Sequence, residues 1–213
     1  MDSSHRAFRQ LTPMAGIGVN FVVHSRNNDR LLVVLSNSQP FVYDRDGTQL
    51  IKFIKGDMYL RDLSHTKGHT TETTGAAWHP SFDNVLITSS QDGSVRLWDL
   101  SSPLHLGSLQ CKSVYKVRSA PGATQLRIGV TCCCFSHDAK YIIAGCSDGS
   151  IQIWDKNLSS RTKAVIRPYA GSTQEFPICS VMTTSCNVSA DVRGDLICRG
   201  QDGTVFLYSL NKL

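Results

Sequence analysis

One block of residues returns four times in a fixed register, and that periodicity limits the chain to folds made by stacking one small unit on the next. The clearest copy is residues 85–100, Val-Leu-Ile-Thr-Ser-Ser-Gln-Asp-Gly-Ser-Val-Arg-Leu-Trp-Asp-Leu. Val85–Ser90 is short and rich in strand-forming residues. Gln91-Asp92-Gly93 reads as a tight turn, because Asp bonds its own backbone and Gly tolerates positive φ. Val95, Leu97 and Asp99 then alternate with Arg96 and Trp98, the period of a second strand. Residues 144–155 and 198–209 repeat the block, and 34–44 hold a weaker copy in which Ser36-Asn37-Ser38 replaces the turn. The aromatic positions Tyr43, Trp98, Trp154 and Tyr208 lie 55, 56 and 54 residues apart. The turn positions Asn37, Asp92, Asp148 and Asp202 keep the same three spacings. Two independent markers in one register establish a repeat.

Gly68-His69 ahead of the clearest copy, with Trp98-Asp99 and Trp154-Asp155 in the strands, resemble the markers of a WD-repeat blade. The register predicts an all-β chain: a WD-repeat β-propeller of about four blades belonging to a larger, seven-bladed ring. One domain spans 1–213, with blades at about 19–54, 68–110, 130–166 and 178–213. The second blade takes its outer strand from 105–110, and the fourth has no outer strand. Residues 1–13 hold an orphan strand at 7–11, expected to be the outer strand of a preceding blade. Met1 thus falls inside what should be a blade, and the end blades would leave strand edges open. The expectation is a fragment of a longer ring. WD repeats usually take about 40–45 residues, whereas these take about 55. The excess is placed between blades, at 55–67, 111–129 and 167–177. These connections would share one end with the Asp-Gly turns and crown a single binding face.

Composition narrows the function. A 41% apolar content suffices for a core, and a net charge of +5 is too mild for a basic arm. No apolar run is long enough to span a bilayer as a helix, and the first ten residues are polar rather than signal-like. The eight cysteines form no paired metal-ligand spacing and suit a reducing, intracellular setting. Cys132-Cys133-Cys134 sit in a predicted strand, where alternation prevents all three from meeting one ion. His65, His69 and His79 are the other conceivable ligand set. His69 is claimed by a polar network and His79 ends a strand, so no metal and no cofactor is expected.

His69, Ser90, Asp92 and Trp98 have the spacing of a buried structural tetrad, read as Asp92 to His69 to Ser90 to the Trp98 indole. A hydrolase reading of this set lacks a nucleophile elbow and an oxyanion site. The later blades keep the turn aspartates Asp148 and Asp202 and the aromatic Trp154, but place Cys146 and Gly200 at the Ser90 position. The most suggestive surface stretch is 112–127, with Lys112, Lys116, Arg118 and Arg127, the interleaved Tyr115 and no acidic residue. On a crown it would meet an acidic peptide or phosphates.

Further strings refine the resemblance. Val42-Tyr43-Asp44-Arg45-Asp46-Gly47, Ile54-Lys55-Gly56-Asp57-Met58-Tyr59, Thr66-Lys67-Gly68-His69-Thr70 and Ser113-Val114-Tyr115-Lys116-Val117-Arg118 resemble the gastrulation-defective WD-repeat family. The resemblance implies a nuclear, non-enzymatic scaffold that binds other proteins. Its implied settings are chromatin and the DNA-damage response, ubiquitin-ligase assemblies, or the spliceosome. The Trp-Asp-x-Arg signature for docking to the ligase adaptor is missing, since Trp98-Asp99 precedes Leu100-Ser101 and Trp154-Asp155 precedes Lys156-Asn157. The alternative is RNA or DNA contact within a larger complex through 112–127. Neither reading involves a membrane or a small-molecule substrate.

Overall fold

The computed structural model describes residues 9–60, 62–119, 127–156, 161–172, 174–186 and 193–210. Four sheets follow one another along the described chain, antiparallel throughout except where one short strand joins the edge of the first. Blade one comprises β1 (Val19–His24), β2 (Arg30–Leu35), β3 (Phe41–Asp44) and β4 (Gln49–Phe53). Blade two has β5 (Thr73–Trp78), β6 (Val85–Ser90) and β7 (Ser94–Asp99). Two short strands follow, β8 (Ser108–Leu109) and β9 (Ser113–Lys116). Blade three is β10 (Val130–Phe135), β11 (Tyr141–Cys146), β12 (Ile151–Asp155) and β13 (Thr162–Ile166). Blade four is β14 (Ile178–Cys186), β15 (Arg193–Gly200) and β16 (Val205–Ser209). The first strands β1, β5, β10 and β14 neighbour one another in succession, the order of a partial propeller.

The core lies between blades. Alternation along each strand sends successive residues to opposite faces. Leu86 therefore packs towards blade one with Leu32, Val34 and Phe53. Ile87, its neighbour in sequence, packs towards blade three with Val130, Phe135 and Ile142. Blade three repeats the device, with Ile142 facing back and Ile143 facing Ile178, Val181 and Leu196 of blade four.

The inner strands are also latched. Each first strand carries a bulge at its second residue, between Val19 and Phe21, Thr73 and Gly75, Val130 and Cys132, and Ile178 and Ser180. A bulge re-aims the side chain it frees. Asn20 donates to the Thr73 carbonyl at 3.0 Å, Thr74 to the Val130 carbonyl at 2.6 Å, and Thr131 to the Ile178 carbonyl. One polar residue in each of blades one, two and three thus ties it to the start of the next.

Two expectations are corrected. The outer strand of blade two is β9, which pairs with β7 through Leu97–Ser113 and Val95–Tyr115. The stretch taken for it instead supplies β8, which runs parallel to β4 at the edge of blade one. Leu109 drives this placement, because it is fully buried in the core between blades one and two. Blade two therefore extends to residue 116, and its surplus residues lie between β7 and β9. At the N-terminus, Arg9–Leu11 is not a strand, and the rest of the expected orphan strand lies outside the described residues. Leu11, Met14 and Ile17 pack on blade one itself, over Val33, Leu35, Phe41 and Tyr43.

Candidate functional site

The polar network sits at the junction of blades one and two. His69 Nδ1 lies 3.0 Å from Asp92 Oδ2, and both side chains are fully buried. On the other side of the ring, Nε2 lies 2.7 Å from the Thr88 hydroxyl, which accepts the Trp98 indole N–H at 2.7 Å. Thr88, not Ser90, is the link between His69 and Trp98. The reason is register. Leu86 is opposite Trp98, so Thr88 is its diagonal neighbour on the same face and Ser90 lies two residues further along. Ser90 serves the turn: its hydroxyl accepts the Asp92 N–H at 3.1 Å and meets the Thr71 hydroxyl at 3.0 Å. Burial pushes the Asp92 carboxyl up. His69, the Ser94 hydroxyl and the Thr70 N–H outweigh burial and hold it down at about 2. Every member is committed to a structural bond, so the set offers no free nucleophile.

The same register explains the later blades. Ala144 stands where Thr88 does, diagonal to Trp154, and the buried Trp154 Nε1 has no partner. Asp148 still closes its turn, accepting the Ser150 N–H at 3.0 Å and hydroxyl at 2.6 Å. Asp202 does likewise with the Thr204 N–H at 3.0 Å and accepts the Tyr169 hydroxyl at 2.6 Å.

These turns lie beside the connections between blades. A Cβ on Gly93 would meet the Ile128 carbonyl at 2.8 Å, and one on Gly149 would meet the Phe176 carbonyl at 2.8 Å. Each chain segment entering the next blade thus crosses over the preceding Asp-Gly turn, and both glycines have positive φ. The described residues of 55–67 belong to a closed loop. Its ends meet where the Gly56 N–H donates to the His69 carbonyl at 2.8 Å, and a Cβ on Gly68 would lie 1.9 Å from the Ile54 carbonyl. Arg96, fully buried in β7, holds the base of this loop. It donates to the Thr66 carbonyl at 2.8 Å, the Thr66 hydroxyl at 2.6 Å and the Leu63 carbonyl at 3.1 Å. Asp62, Asp92, Lys116, Ser119 and Arg127 line a cavity of about 170 Å³ at this end.

The basic stretch is not one loop. Lys112 and Lys116 flank or belong to β9 and are paired, Lys112 with Asp99 at 3.1 Å and Lys116 with Asp62. Lys116 holds the Asp62 carboxyl well below the usual carboxylate range. Tyr115 is buried between blades two and three and is not a surface contact. Arg118 and Arg127 are exposed, and residues 120–126 lie outside the described set. A larger cavity, about 560 Å³, opens at the turns of blade one, where Arg9, His24, Arg30, Asp44 and Arg45 meet. Sequence reading did not single it out, since its residues come from three separated segments.

The cysteines and histidines have structural surroundings. Cys133 packs between blades two and three, while Cys132 and Cys134 face blade four. Burial raises their thiols, Cys132 to about 11 and Cys133 to about 12. His65 is exposed in the 55–67 loop and His79 is buried at the end of β5. Among the described residues, no three metal-ligating side chains converge.

Comparison with known proteins agrees with this geometry. The pattern described as WD domain, G-beta repeat matches residues 61–99 and 115–155, the cores of blades two and three. WD repeat-containing protein 70 of Xenopus tropicalis is 39% identical over 212 residues, covering all of this chain and 32% of the relative. This chain belongs to the WD-repeat family. Its likeness to the gastrulation-defective branch extends to Drosophila melanogaster, whose gastrulation defective protein 1 homolog is 41% identical over 155 residues, 73% of this chain and 22% of the relative. The human WD repeat-containing protein 70 is 39% identical over 163 residues, 76% of this chain and 24% of the relative. The chain spans about a third of the length, or less, of these relatives. WD-repeat chains characteristically act as protein-interaction scaffolds.

Proposed function

We propose that this arc of blades is a non-enzymatic scaffold in a nuclear complex, binding other proteins through the end that carries the Asp-Gly turns. One observation carries the choice of surface. The connections between blades gather at that end, and the 55–67 loop is fixed there by a fully buried arginine. A loop held in one shape costs less entropy to bind. The resemblance supports a DNA-damage or splicing setting. The alternative, RNA or DNA contact, draws on Arg118 and Arg127 alone among the described cations of the stretch, because Lys112 and Lys116 are paired with carboxylates.

The test uses the full-length protein carrying Arg118→Glu and Arg127→Glu, recovered from nuclei with and without nuclease. The scaffold reading expects named partners to be lost from the variant and kept by the native protein after nuclease. Partners that leave native protein on nuclease treatment favour the nucleic-acid reading. Loss on Arg45→Glu, with the crown variant unaffected, moves the binding surface to the opposite end.

A further inference from the structure

Where blades two and three meet, a histidine and a lysine face each other with only one workable arrangement of protons. His79 follows β5 and is buried, and its Nδ1 accepts two backbone N–H bonds, from Ser81 and Phe82, each at 3.1 Å. A ring nitrogen that accepts carries no proton, so the neutral ring keeps its hydrogen on Nε2. Turning the ring over would set a C–H against those two N–H groups. Nε2 faces Lys156 Nζ at 2.8 Å. An N–H needs a lone pair opposite it. An ammonium has none, and a neutral amine has one. Protonating His79 makes matters worse, because Nδ1–H would then point at two donors.

The neighbours press in the same direction. Lys112 adds positive charge beside Lys156, although Asp99 pairs with Lys112 at 3.1 Å. Burial and that charge lower the pKa of Lys156, while burial and Lys156 lower that of His79 to about 4. The Phe82 ring, 5.7 Å from Nζ, favours the cation but weakly. The backbone of Lys156 is fixed, with its N–H donated to the Lys140 carbonyl at 2.9 Å and its carbonyl accepting the Tyr115 hydroxyl at 3.4 Å. Lys156 remains partly exposed.

We infer that Lys156 is a site of covalent acylation, its uncharged amine held at the blade junction for attack on a short-chain acyl thioester. The Nζ lone pair adds to the thioester carbonyl, the C–N bond forms and the C–S bond breaks. The thiolate leaves, and the proton lost by nitrogen passes to it through solvent. The product amide keeps the junction closed, because its carbonyl oxygen can accept the Nε2–H that the amine accepted before.

The experiment exposes the intact chain to acetyl-coenzyme A across pH 6–10 (roughly the span from neutral to the usual lysine value) and follows each lysine by peptide mass spectrometry. Lys156 is expected to acetylate severalfold faster than Lys140 or Lys163 near neutral pH, since a lowered pKa leaves more of its amine uncharged. Its rate should also level off at lower pH than theirs. His79→Asn keeps an acceptor for the Ser81 and Phe82 N–H groups but is too short to reach Lys156; burial and Lys112 remain, so the variant should slow Lys156 towards the rate of Lys140 without reaching it. The inference is overturned if native Lys156 reacts no faster than those two lysines, or if its rate rises with pH as theirs do. Either comparison is made on the native chain, so it stands even where the variant fails to fold.

Discussion

Replacing Thr88 with valine tests the network at its central link. Valine is close to threonine in shape, so the substitution removes a hydroxyl with little change in packed volume. It leaves the His69 Nε2 and the Trp98 indole N–H, both in fully buried side chains, without a partner. Stranding one buried polar group costs about 1–3 kcal/mol, so two cost about 2–6 kcal/mol. For a domain of this size each kcal/mol moves the midpoint by about 2–4 °C, which predicts a loss of at least about 4 °C and up to about 24 °C. Ser90→Ala is the matched control, since Ser90 bonds only at the turn and Thr71. It should cost about 1 kcal/mol. Paired thermal and urea melts of the two variants give the answer. If Ser90→Ala costs as much as Thr88→Val, or if Thr88→Val melts with the native protein, the linkage through Thr88 is wrong.

Four further outcomes follow from the same bonds. Ala144→Ser should bring a hydroxyl within reach of the orphaned Trp154 indole and raise stability by about 0.5–1.5 kcal/mol, read from the urea midpoint. Thr131→Val breaks the latch to the Ile178 carbonyl and should loosen blade four by about 1 kcal/mol, seen as faster amide exchange in β14–β16 with blade two unchanged. Arg96→Met frees the Thr66 and Leu63 carbonyls and should expose the 55–67 loop to limited proteolysis, at a cost of about 2–4 kcal/mol. Acid should unfold the chain in two stages. His79 is held neutral down to about 4 in the folded state, so its stability is whole above the unfolded value of about 6.5 and drains as pH falls from there to 4. Asp92, held at about 2, adds a second loss between about pH 4 and 2, and His79→Asn should remove only the upper stage in a midpoint-against-pH series.

How much of this was readable beforehand depends on which physical signal a residue carries. The Asp-Gly turns and the aromatic positions were legible because backbone conformation restricts them to a few residue types. They mark the hairpins that join β2 to β3, β11 to β12 and β15 to β16. The outer strand of blade two was not legible for a specific reason. Two candidate strands, 105–110 and 113–116, follow β7, and local propensity does not separate them. The choice is made by distant contacts: Leu109 fills the core against blade one, while Tyr115 fills the core against blade three. The same error turned a strand with paired lysines into a basic loop.

Thr88 teaches a sharper lesson about the site. Spacing along the chain favoured Ser90, which is nearer the turn aspartate and shares its hydroxyl chemistry. Pairing across the strands favoured Thr88, because Trp98 stands opposite Leu86 and reaches only one residue pair along its own face. The hairpin turn at Asp92-Gly93 already specified that pairing, so the correct residue could have been read by counting back from the turn. The test of that rule lies within the chain. Counting back from Asp148 and Asp202 in the same way reaches Ala144 and Cys198, neither of which can replace a hydroxyl between a histidine and an indole. Among the described residues, blade two alone then combines the full network with the buried Arg96 clamp. It should be the last of the four blades to exchange its amides, and an earlier opening of β6 and β7 than of β11 and β12 would show that inter-blade packing, not the network, sets local stability.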